Sequence, residues 1–315
     1  MIGYLLRRVA QAVVVVLVVT IFVFVLLHQL PGGPARAVLG PRATPAQIAQ
    51  FNQDNGLDRA VPIQYLEYLR HWATGNFGFS FKLNQSVGSL LQQRLPKTLI
   101  LNALALAFTL VVAIPVGVYQ AVRRNRFFDY AATGLSFVFY AAPTFFLGLI
   151  AVLLFSQKLD LLPPEAPQSD GVVPIFTEFS AMILPIVTLA LLSIAGFSRY
   201  MRSSVLDNVT QDYVRTARSK GCSSARVLRG HILRNALLPI ATLIGLSLPA
   251  LFAGALVTES IFNFPGMGLL FWQAAQTSDY PVELGVVLVT AVATVLGNLL
   301  ADISYVLLDP RVRYS

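Results

Sequence analysis

The ionisable side chains of this sequence are concentrated in one short stretch between two apolar segments. The 315 residues include 23 Lys and Arg against 15 Asp and Glu, and only 12% of the chain is charged. Asp212 is the only acid between positions 212 and 239, where six basic residues fall: Arg215, Arg218, Lys220, Arg226, Arg229 and Arg234. A surface of this charge can bind anionic lipid headgroups or another protein.

The sequence lacks the common motifs of nucleotide, zinc and serine chemistry. It has no G-x-x-x-x-G-K-[ST] and no Gly-Lys dipeptide, so it has no phosphate loop for ATP. It has neither H-E-x-x-H nor G-x-S-x-G. His28, His71 and His231 are widely separated, and the single cysteine, Cys222, excludes an internal disulfide. We therefore expect a chain without catalytic residues, cofactor or metal site.

The hydrophobic residues make up 56% of the chain, a fraction that is typical of a membrane protein. A bundle of membrane helices must therefore position the charged stretch. About 20 apolar residues in a helix cross the hydrocarbon core of a bilayer. Six stretches of suitable length lack Asp, Glu, Lys and Arg: Val9–Leu27, Leu99–Val122, Tyr130–Gln157, Phe179–Ser198, Ala236–Thr258 and Leu284–Ala301. Their apolar residues fall on every side of a helix. The sequence predicts an all-α, polytopic membrane protein with six transmembrane helices.

The first apolar stretch could instead be a signal peptide, since Arg7 and Arg8 precede it and Ala35–Ala37 imitates a cleavage site. We favour an uncleaved helix, because the stretch exceeds the usual apolar length and five more spans follow. With a cytoplasmic N-terminus, 15 basic residues lie on the inside and the two short outer loops hold only Lys158. The positive-inside rule therefore predicts cytoplasmic N- and C-termini.

The region 31–96 is the one sizeable segment predicted outside the lipid. Thr44 and Pro45 are typical of a helix start, and Gly56 is typical of a stop. A second helix is predicted from Val61 towards Gly75, with Ile63, Leu66 and Leu69 on one face. Ser86 is expected to begin a third helix, which leads into the second span. The region forms either a small cap or a loop packed on the bundle.

The charged stretch itself predicts two short amphipathic helices that meet at a glycine. Asp212 is a good N-cap, and Gly221 has the position of a left-handed C-terminal glycine. Ser223 or Ser224 then starts the second helix, which ends before Pro239 and the fifth span. Small residues on the apolar face favour close approach by another protein over simple attachment to lipid.

DYVRTARSKG followed by RNALLP resembles the cytoplasmic EAA loop of permease subunits of ATP-binding-cassette (ABC) importers. The resemblance continues nearly end to end, and is greatest to the peptide/nickel branch and its first-subunit dipeptide and oligopeptide permeases. The other matching stretches are YLLRR at 4–8, LPGGPARAVLG at 30–40, RLPKTL at 94–99, FNFPGMG at 262–268, DYP at 279–281 and LLDPRVRY at 307–314. Arg215-Thr216-Ala217 replaces the general Glu-Ala-Ala, which is usual for the peptide branch.

The resemblance implies a type I ABC-importer permease fold and a coupling helix that seats on a cytoplasmic ATPase. The residues carried over are Asp212, Tyr213, Arg215, Thr216, Ala217, Arg218, Lys220 and Gly221. Ala217 and Gly221 would permit close contact, and the basic side chains would be polar contacts. A possible outer gate after the fifth span would comprise Glu259, Phe262, Pro265, Gly266 and Gly268. Interfacial placement is the alternative for Glu259.

The resemblance also implies partners. These are a second homologous permease, two ABC ATPase subunits that bind ATP and Mg, an extracytoplasmic substrate-binding protein, a peptide substrate and membrane lipid, with no nucleic acid. The location would be the bacterial plasma (inner) membrane. A nickel-chelate or glutathione importer remains an alternative. A secondary transporter or channel is disfavoured, because no span carries an ionisable residue in its interior.

The expected organisation follows from these assignments. Residues 1–30 hold the N-terminal segment and first span, and residues 31–96 form the extracytoplasmic helical region. Residues 97–308 form the permease core, with the cytoplasmic coupling loop at 199–235. Residues 309–315 form a cytoplasmic tail.

Overall fold

The computed structural model describes residues 2–29, 33–40, 42–54, 56–80, 82–252 and 254–308, so the predicted tail at 309–315 lies outside the described residues. The described chain is almost entirely helical. Its helices before the third predicted span are α1 (Ile2–Gln29), α2 (Gly33–Leu39), α3 (Pro45–Asp54), α4 (Val61–Ala73) and α5 (Val87–Val122). Strands β1 (Phe79–Ser80) and β2 (Gln85–Ser86) form an antiparallel hairpin between α4 and α5.

The rest of the described chain continues with helices of very different lengths. The elements are α6 (Phe127–Ala141), α7 (Thr144–Ala151, continued by a π-helix Val152–Lys158), α8 (Pro174–Thr177), α9 (Phe179–Val209), α10 (Asp212–Ser219), α11 (Ser224–Val227, continued by a π-helix Leu228–Ile232), α12 (Leu233–Ala236), α13 (Leu238–Phe252), α14 (Leu256–Ile261), α15 (Met267–Thr277) and α16 (Tyr280–Leu308).

Among the described residues, five helical segments are long and apolar enough to cross a membrane, and a sixth span results if one bent helix pair is counted. The five are Leu6–Leu26, Val87–Val122, Phe179–Val209, Ser224–Phe252 and Tyr280–Ala301. This agrees with the all-α, six-span prediction.

Because α5 has 36 residues, it is about 54 Å long and exceeds the roughly 30 Å hydrocarbon core.

The third predicted span, Tyr130–Gln157, is not one straight helix. It consists of α6 and the α7 run, which meet at an angle of 107°. The break lies at Ala142 and Pro143, whose backbones are extended with ψ angles of 133° and 137°. Proline has no N–H to donate and disfavours helical geometry in the residue before it. Pro143 therefore separates α6 from α7.

Several predicted helix boundaries in the region 31–96 are confirmed. Thr44 caps α3 by accepting from Gln47 N, and Gln47 Oε1 accepts from Thr44 N in return. Gly56 and Gly75 have positive φ angles of 65° and 76°. The predicted apolar face of α4 is wrong, however, because Leu66 is exposed whereas Gln64 is buried.

The structure divides into two compact units, and each has its own apolar core. The first comprises residues 1–99, 167–177 and 249–299, and its core joins the start of α5 to α15 and α16. The second comprises residues 100–166, 178–248 and, among those described, 300–308, and its core joins α9 to α10 and the helical run after it. The segment boundaries expected from the sequence stay predictions.

Candidate functional site

The charged stretch begins as a regular helix, α10, but its N-cap is not the residue that the sequence suggested. Gln211 has the extended backbone of an N-cap (φ −72°, ψ 149°), and Asp212 lies in the first helical turn. A carboxylate there still faces the positive end of the helix dipole. Tyr213 is held by a hydrogen bond from its hydroxyl to Asn208 Oδ1 (2.5 Å), which ties α10 to the end of α9.

The small residue on α10 packs inside this chain. Ala217 is only 6% exposed, and with Val214 it contacts an apolar cluster that includes Met201 and Val205 of α9. The expectation that Ala217 lies on the partner-facing side is therefore wrong. Its side chain is small because α10 approaches α9 and the following helices closely. This packing fixes α10 rigidly to a membrane-spanning helix.

Gly221 ends α10 in the predicted left-handed conformation, with a φ angle of 79°. Gly221 N donates to Arg218 O (2.9 Å), and Cys222 N donates to Ala217 O (3.2 Å), the two bonds of a Schellman motif. A Cβ at this position would meet no atom within 4 Å. Glycine is thus favoured for its backbone conformation, and the described part of this chain places no atom close to it.

The opposite face of α10 is exposed and strongly basic. Arg215 is 79% exposed, and its contact with Asp212 (3.7 Å) is an exposed ion pair that contributes about 0 to 1 kcal/mol. The exposed residues of this face are Asp212, Arg215, Thr216, Arg218, Ser219 and Lys220. Six of the eight residues carried over from the EAA resemblance are therefore exposed, Tyr213 is half-buried, and Ala217 is buried with Val214 and holds the helix in place. We call this surface the α10 basic face.

The second predicted short helix is not separate from the fifth span. Ser223 has the N-cap conformation, as expected, and from Ser224 a nearly continuous helical run reaches Phe252. Pro239 lies in the first turn of α13, a position at which proline is tolerated. The α10 helix is consequently connected, through one glycine turn, to a helix that spans the membrane.

An ion pair that the sequence did not reveal supports this assembly. Arg202 of α9 donates through Nε to Asp129 Oδ1 (2.7 Å) and through Nη2 to Asp129 Oδ2 (2.8 Å). Asp129 Oδ2 also accepts from Asn125 N (3.0 Å), so the carboxylate ties the start of α6 to the end of α9. The two residues are 73 positions apart, and a single sequence gives no signal for such pairing.

The five residues of the possible outer gate are brought together and buried. Glu259 lies on α14, not at the end of the fifth span, which stops at Phe252. Its carboxylate accepts from Thr98 Oγ1 (2.8 Å), Leu269 N (3.0 Å) and Ala255 N (3.4 Å). Glu259 is fully buried within the protein. The carboxylate joins α5, α14 and the start of α15.

Thr98 and two glycines complete this cluster. Thr98 Oγ1 donates to Glu259 and accepts from Met267 N (2.8 Å), so it links the carboxylate to the segment 262–268, which leads from α14 into α15 and which we call the 262–268 hairpin. A Cβ on Gly266 would lie 2.5 Å from Glu259 Oε2, and one on Gly268 would lie 2.5 Å from Leu256 Cα. Phe262 and Pro265 are buried beside them. We call this group, Thr98, Glu259, Phe262, Pro265, Gly266 and Gly268, the Glu259 cluster.

Two opposing effects act on the Glu259 carboxyl. Burial raises its pKa, and the hydrogen bonds from Leu269 N, Thr98 and Ala255 N oppose that rise. All of these groups donate to the carboxylate oxygens.

An open cavity of about 290 Å³ adjoins the cluster and is lined mainly by apolar residues that include Met267, Phe271 and Val286. It suits hydrocarbon better than charged groups.

A chain with these membrane-spanning helices is an integral membrane protein, and comparison with known proteins gives its class. Residues 113–314 match the family of binding-protein-dependent transport system inner membrane components, and residues 1–102 match the corresponding N-terminal family. The chain belongs to this family and is a multi-pass protein of the bacterial inner membrane.

Two relatives extend the similarity over the full chain. It is 39% identical over 321 residues to the oligopeptide transport system permease protein AppB of Bacillus subtilis. It is 36% identical over 338 residues to the dipeptide transport system permease protein DppB of Escherichia coli. Both comparisons cover 100% of each chain.

Proposed function

We propose that this chain is a permease subunit of an ABC importer and forms part of the translocation path for dipeptides or oligopeptides. The family assignment and the full-length similarity to peptide permeases support the proposal. Nickel-chelate and glutathione importers are not favoured by these relatives. The same relatives do not favour a secondary transporter or channel.

The α10 basic face is the surface that docks on an ATPase subunit. The observation that carries this role is the division of α10 into an exposed basic side and a side buried against α9. A docking element must be exposed, and a transmitting element must be fixed to a span. The α10 helix meets both conditions, so movement of the ATPase would shift α9 and the run from Ser224 as a rigid body.

The complex has further partners. A second homologous permease completes the path, two ATPase subunits bind ATP and Mg, and an extracytoplasmic binding protein delivers peptide. This chain contributes no catalytic residue. The basic loops and both termini face the cytoplasm, and the region 31–96 faces the opposite side, where it contacts the binding protein or shields the mouth of the path.

The Glu259 cluster supports the outer gate on that same side. Its buried hydrogen bonds hold the 262–268 hairpin in one shape, so the hairpin would open and close as a unit. The adjoining apolar cavity is where hydrophobic peptide side chains would be accommodated.

The experiment neutralises the α10 basic face with Arg215→Gln, Arg218→Gln and Lys220→Gln together. We expect the variant to insert normally, to bind fewer ATPase subunits in a pull-down and to lose peptide-stimulated ATP turnover. The matched control is Arg123→Gln, Arg124→Gln and Arg126→Gln, which removes the same charge from another exposed loop. If both variants lose ATPase binding and ATP turnover equally, the effect comes from the removal of positive charge and not from this face. If the first variant loses neither, the docking role is wrong.

A second experiment tests whether peptide uptake depends on ATP and on the complete complex. The complete complex in vesicles should take up peptide only with ATP, whereas the chain alone should take up none. Uptake by the chain alone would contradict the ABC mechanism and support a secondary transporter.

A further inference from the structure

Helix α4 is attached to the C-terminal half of α1 by a polar and aromatic seam. The hydroxyl oxygens of Tyr65 on α4 and Thr20 on α1 are 2.8 Å apart and share a hydrogen bond. The Phe24 ring of α1 contacts the rings of Tyr65 and Tyr68, with centroid distances of 5.3 and 5.7 Å. Side chains therefore hold α4 against α1, so the level of α4 in the membrane follows from the position of the seam along α1.

The seam lies at the end of the apolar part of α1. The apolar run Val9–Leu27 is about 28 Å long as a helix, which is close to the roughly 30 Å hydrocarbon core. Thr20 lies about 10 Å before the end of this run. His28 is the first polar residue after it, and its Nε2 lies 2.9 Å from Gln64 Oε1 of α4. The seam thus places α4 at the boundary between hydrocarbon and headgroups.

The surface of α4 outside the seam divides into an apolar and a polar flank. At about 100° per residue, four apolar residues fall within about 60° of one another. We call them the α4 apolar flank: Pro62, Leu66, Leu69 and Ala73. The next sector around the helix, beyond Ile63, is the α4 polar flank: Glu67, Arg70 and His71. Going around α4, the seam is therefore followed by an apolar and then by a polar side.

The apolar flank is open at the level at which α1 is also open. Leu66 is 65% exposed, although it is a large apolar side chain. Phe22 lies between Thr20 and Phe24 along α1 and is 62% exposed, so acyl chains can reach α1 beside the seam. An amphipathic helix at a bilayer surface buries its apolar side about 5–10 Å into the boundary and keeps its polar side in water. The order of the three sides of α4 fits this arrangement.

We propose that α4 is an interfacial helix, which rests in the leaflet at the C-terminal end of α1. Its apolar flank contacts lipid acyl chains, and its polar flank, where Glu67 pairs with Arg59, faces the water. The seam with α1 sets the level of the helix. The region 31–96 is then held on the membrane surface by α4, in contrast to the sequence-based expectation that all of it lies outside the lipid.

The test measures how often a nitroxide label collides with oxygen and with a nickel–EDDA complex, in the full chain in lipid nanodiscs. Oxygen is apolar and enters hydrocarbon, whereas the nickel complex is polar and stays in water. In a Cys222→Ser background, Leu66→Cys carries the label on the apolar flank. Phe22→Cys is the reference for lipid, and His71→Cys is the matched control on the polar flank of the same helix.

We expect the ratio of oxygen to nickel collisions to be severalfold higher for Leu66→Cys than for His71→Cys, and close to that of Phe22→Cys. Frequent nickel collisions at Leu66→Cys, equal to those at His71→Cys, would place the flank in water and overturn the proposal. Few collisions with either reagent would show that protein covers the flank and would overturn it as well.

Two further measurements complete the test. Ala73→Cys labels a second exposed position of the apolar flank and should give the same high ratio, which covers the case in which Leu66→Cys fails to insert. Repeating the measurement with the other transporter subunits present should leave the oxygen collisions at Leu66→Cys unchanged. Their loss would show that a partner subunit occupies the flank in place of lipid, and would contradict the proposal without affecting the proposed transport function.

Discussion

The carboxylate of Asp129 and the guanidinium of Arg202 form a two-pronged ion pair, with bonds of 2.7 and 2.8 Å, that joins the start of α6 to the end of α9. Met201, the neighbour of Arg202, belongs to the apolar cluster against which Val214 and Ala217 of α10 pack. The pair therefore stabilises the same end of α9 that holds the α10 helix. We expect it to keep α9 and α6 moving together.

Arg202→Lys should weaken this link, because lysine cannot donate in parallel from two planar nitrogens. We expect a loss of about 1.5 to 3 kcal/mol in stability, measured as a lower temperature of thermal denaturation of the purified chain. Arg199→Lys is the matched control. Arg199 is on the same helix and lies over the rings of Phe137 and Tyr140, and none of the ion pairs among the described residues includes it. If both variants melt at the same temperature, the ion pair has no special role.

Ala217→Trp and Thr216→Trp place the same ring on opposite sides of α10. Ala217→Trp should overpack the internal cluster and destabilise the chain by about 1 to 3 kcal/mol or more. Thr216→Trp should leave stability unchanged, since Thr216 is exposed, but should block docking of an ATPase subunit. Thermal denaturation and a pull-down of ATPase subunits separate the two effects. A stable Ala217→Trp chain that fails to bind the ATPase would show that Ala217 faces the partner after all.

Gly117→Ala should separate α5 from α9. A Cβ at Gly117 would lie 2.5 Å from Ser198 O and 2.7 Å from Met201 Cβ, so the helices must move apart. Gly134→Ala is the control, because a Cβ there meets nothing within 4 Å and alanine favours the helix. We expect thermal stability to fall in the first variant and to stay equal or rise in the second. Equal stability of both variants would contradict the close approach of these helices.

Glu259→Gln should disrupt the 262–268 hairpin, although it preserves shape. Both oxygens of Glu259 accept hydrogen bonds from donors, and an amide nitrogen at either position would face another donor. We expect faster hydrogen–deuterium exchange at residues 262–268 and reduced peptide uptake, with ATPase binding intact. Glu178→Gln, at an exposed position, should change neither. Unchanged exchange in Glu259→Gln would mean that the carboxylate does not hold the hairpin.

The sequence predicted the features that depend on local chemistry. Thr44, Gly56 and Gly221 mark helix ends through capping and positive φ, and long apolar runs identify the spans. The break at Pro143 was not predicted, because a proline inside a span is tolerated or not according to the neighbouring helices.

The local sequence also did not predict which face of α10 is buried. Alanine is compatible with packing inside a chain and with contact to a partner, and only the position of α9 decides between them. The contacts of Glu259 with Thr98 and of Asp129 with Arg202 join distant parts of the chain, and pattern in a single sequence carries no information about such pairs.

The central claim is that the α10 basic face docks on an ATPase subunit, and labelling of single cysteines with a membrane-impermeant maleimide tests it most directly. In a Cys222→Ser background, Arg218→Cys is placed on this face and Arg124→Cys on another exposed loop. Inside-out vesicles expose the cytoplasmic side and are prepared with and without the ATPase subunits. We predict that both cysteines are labelled in the absence of the ATPase, and that its presence protects Arg218→Cys alone. Labelling of Arg218→Cys that is equally fast with and without the ATPase would contradict the account.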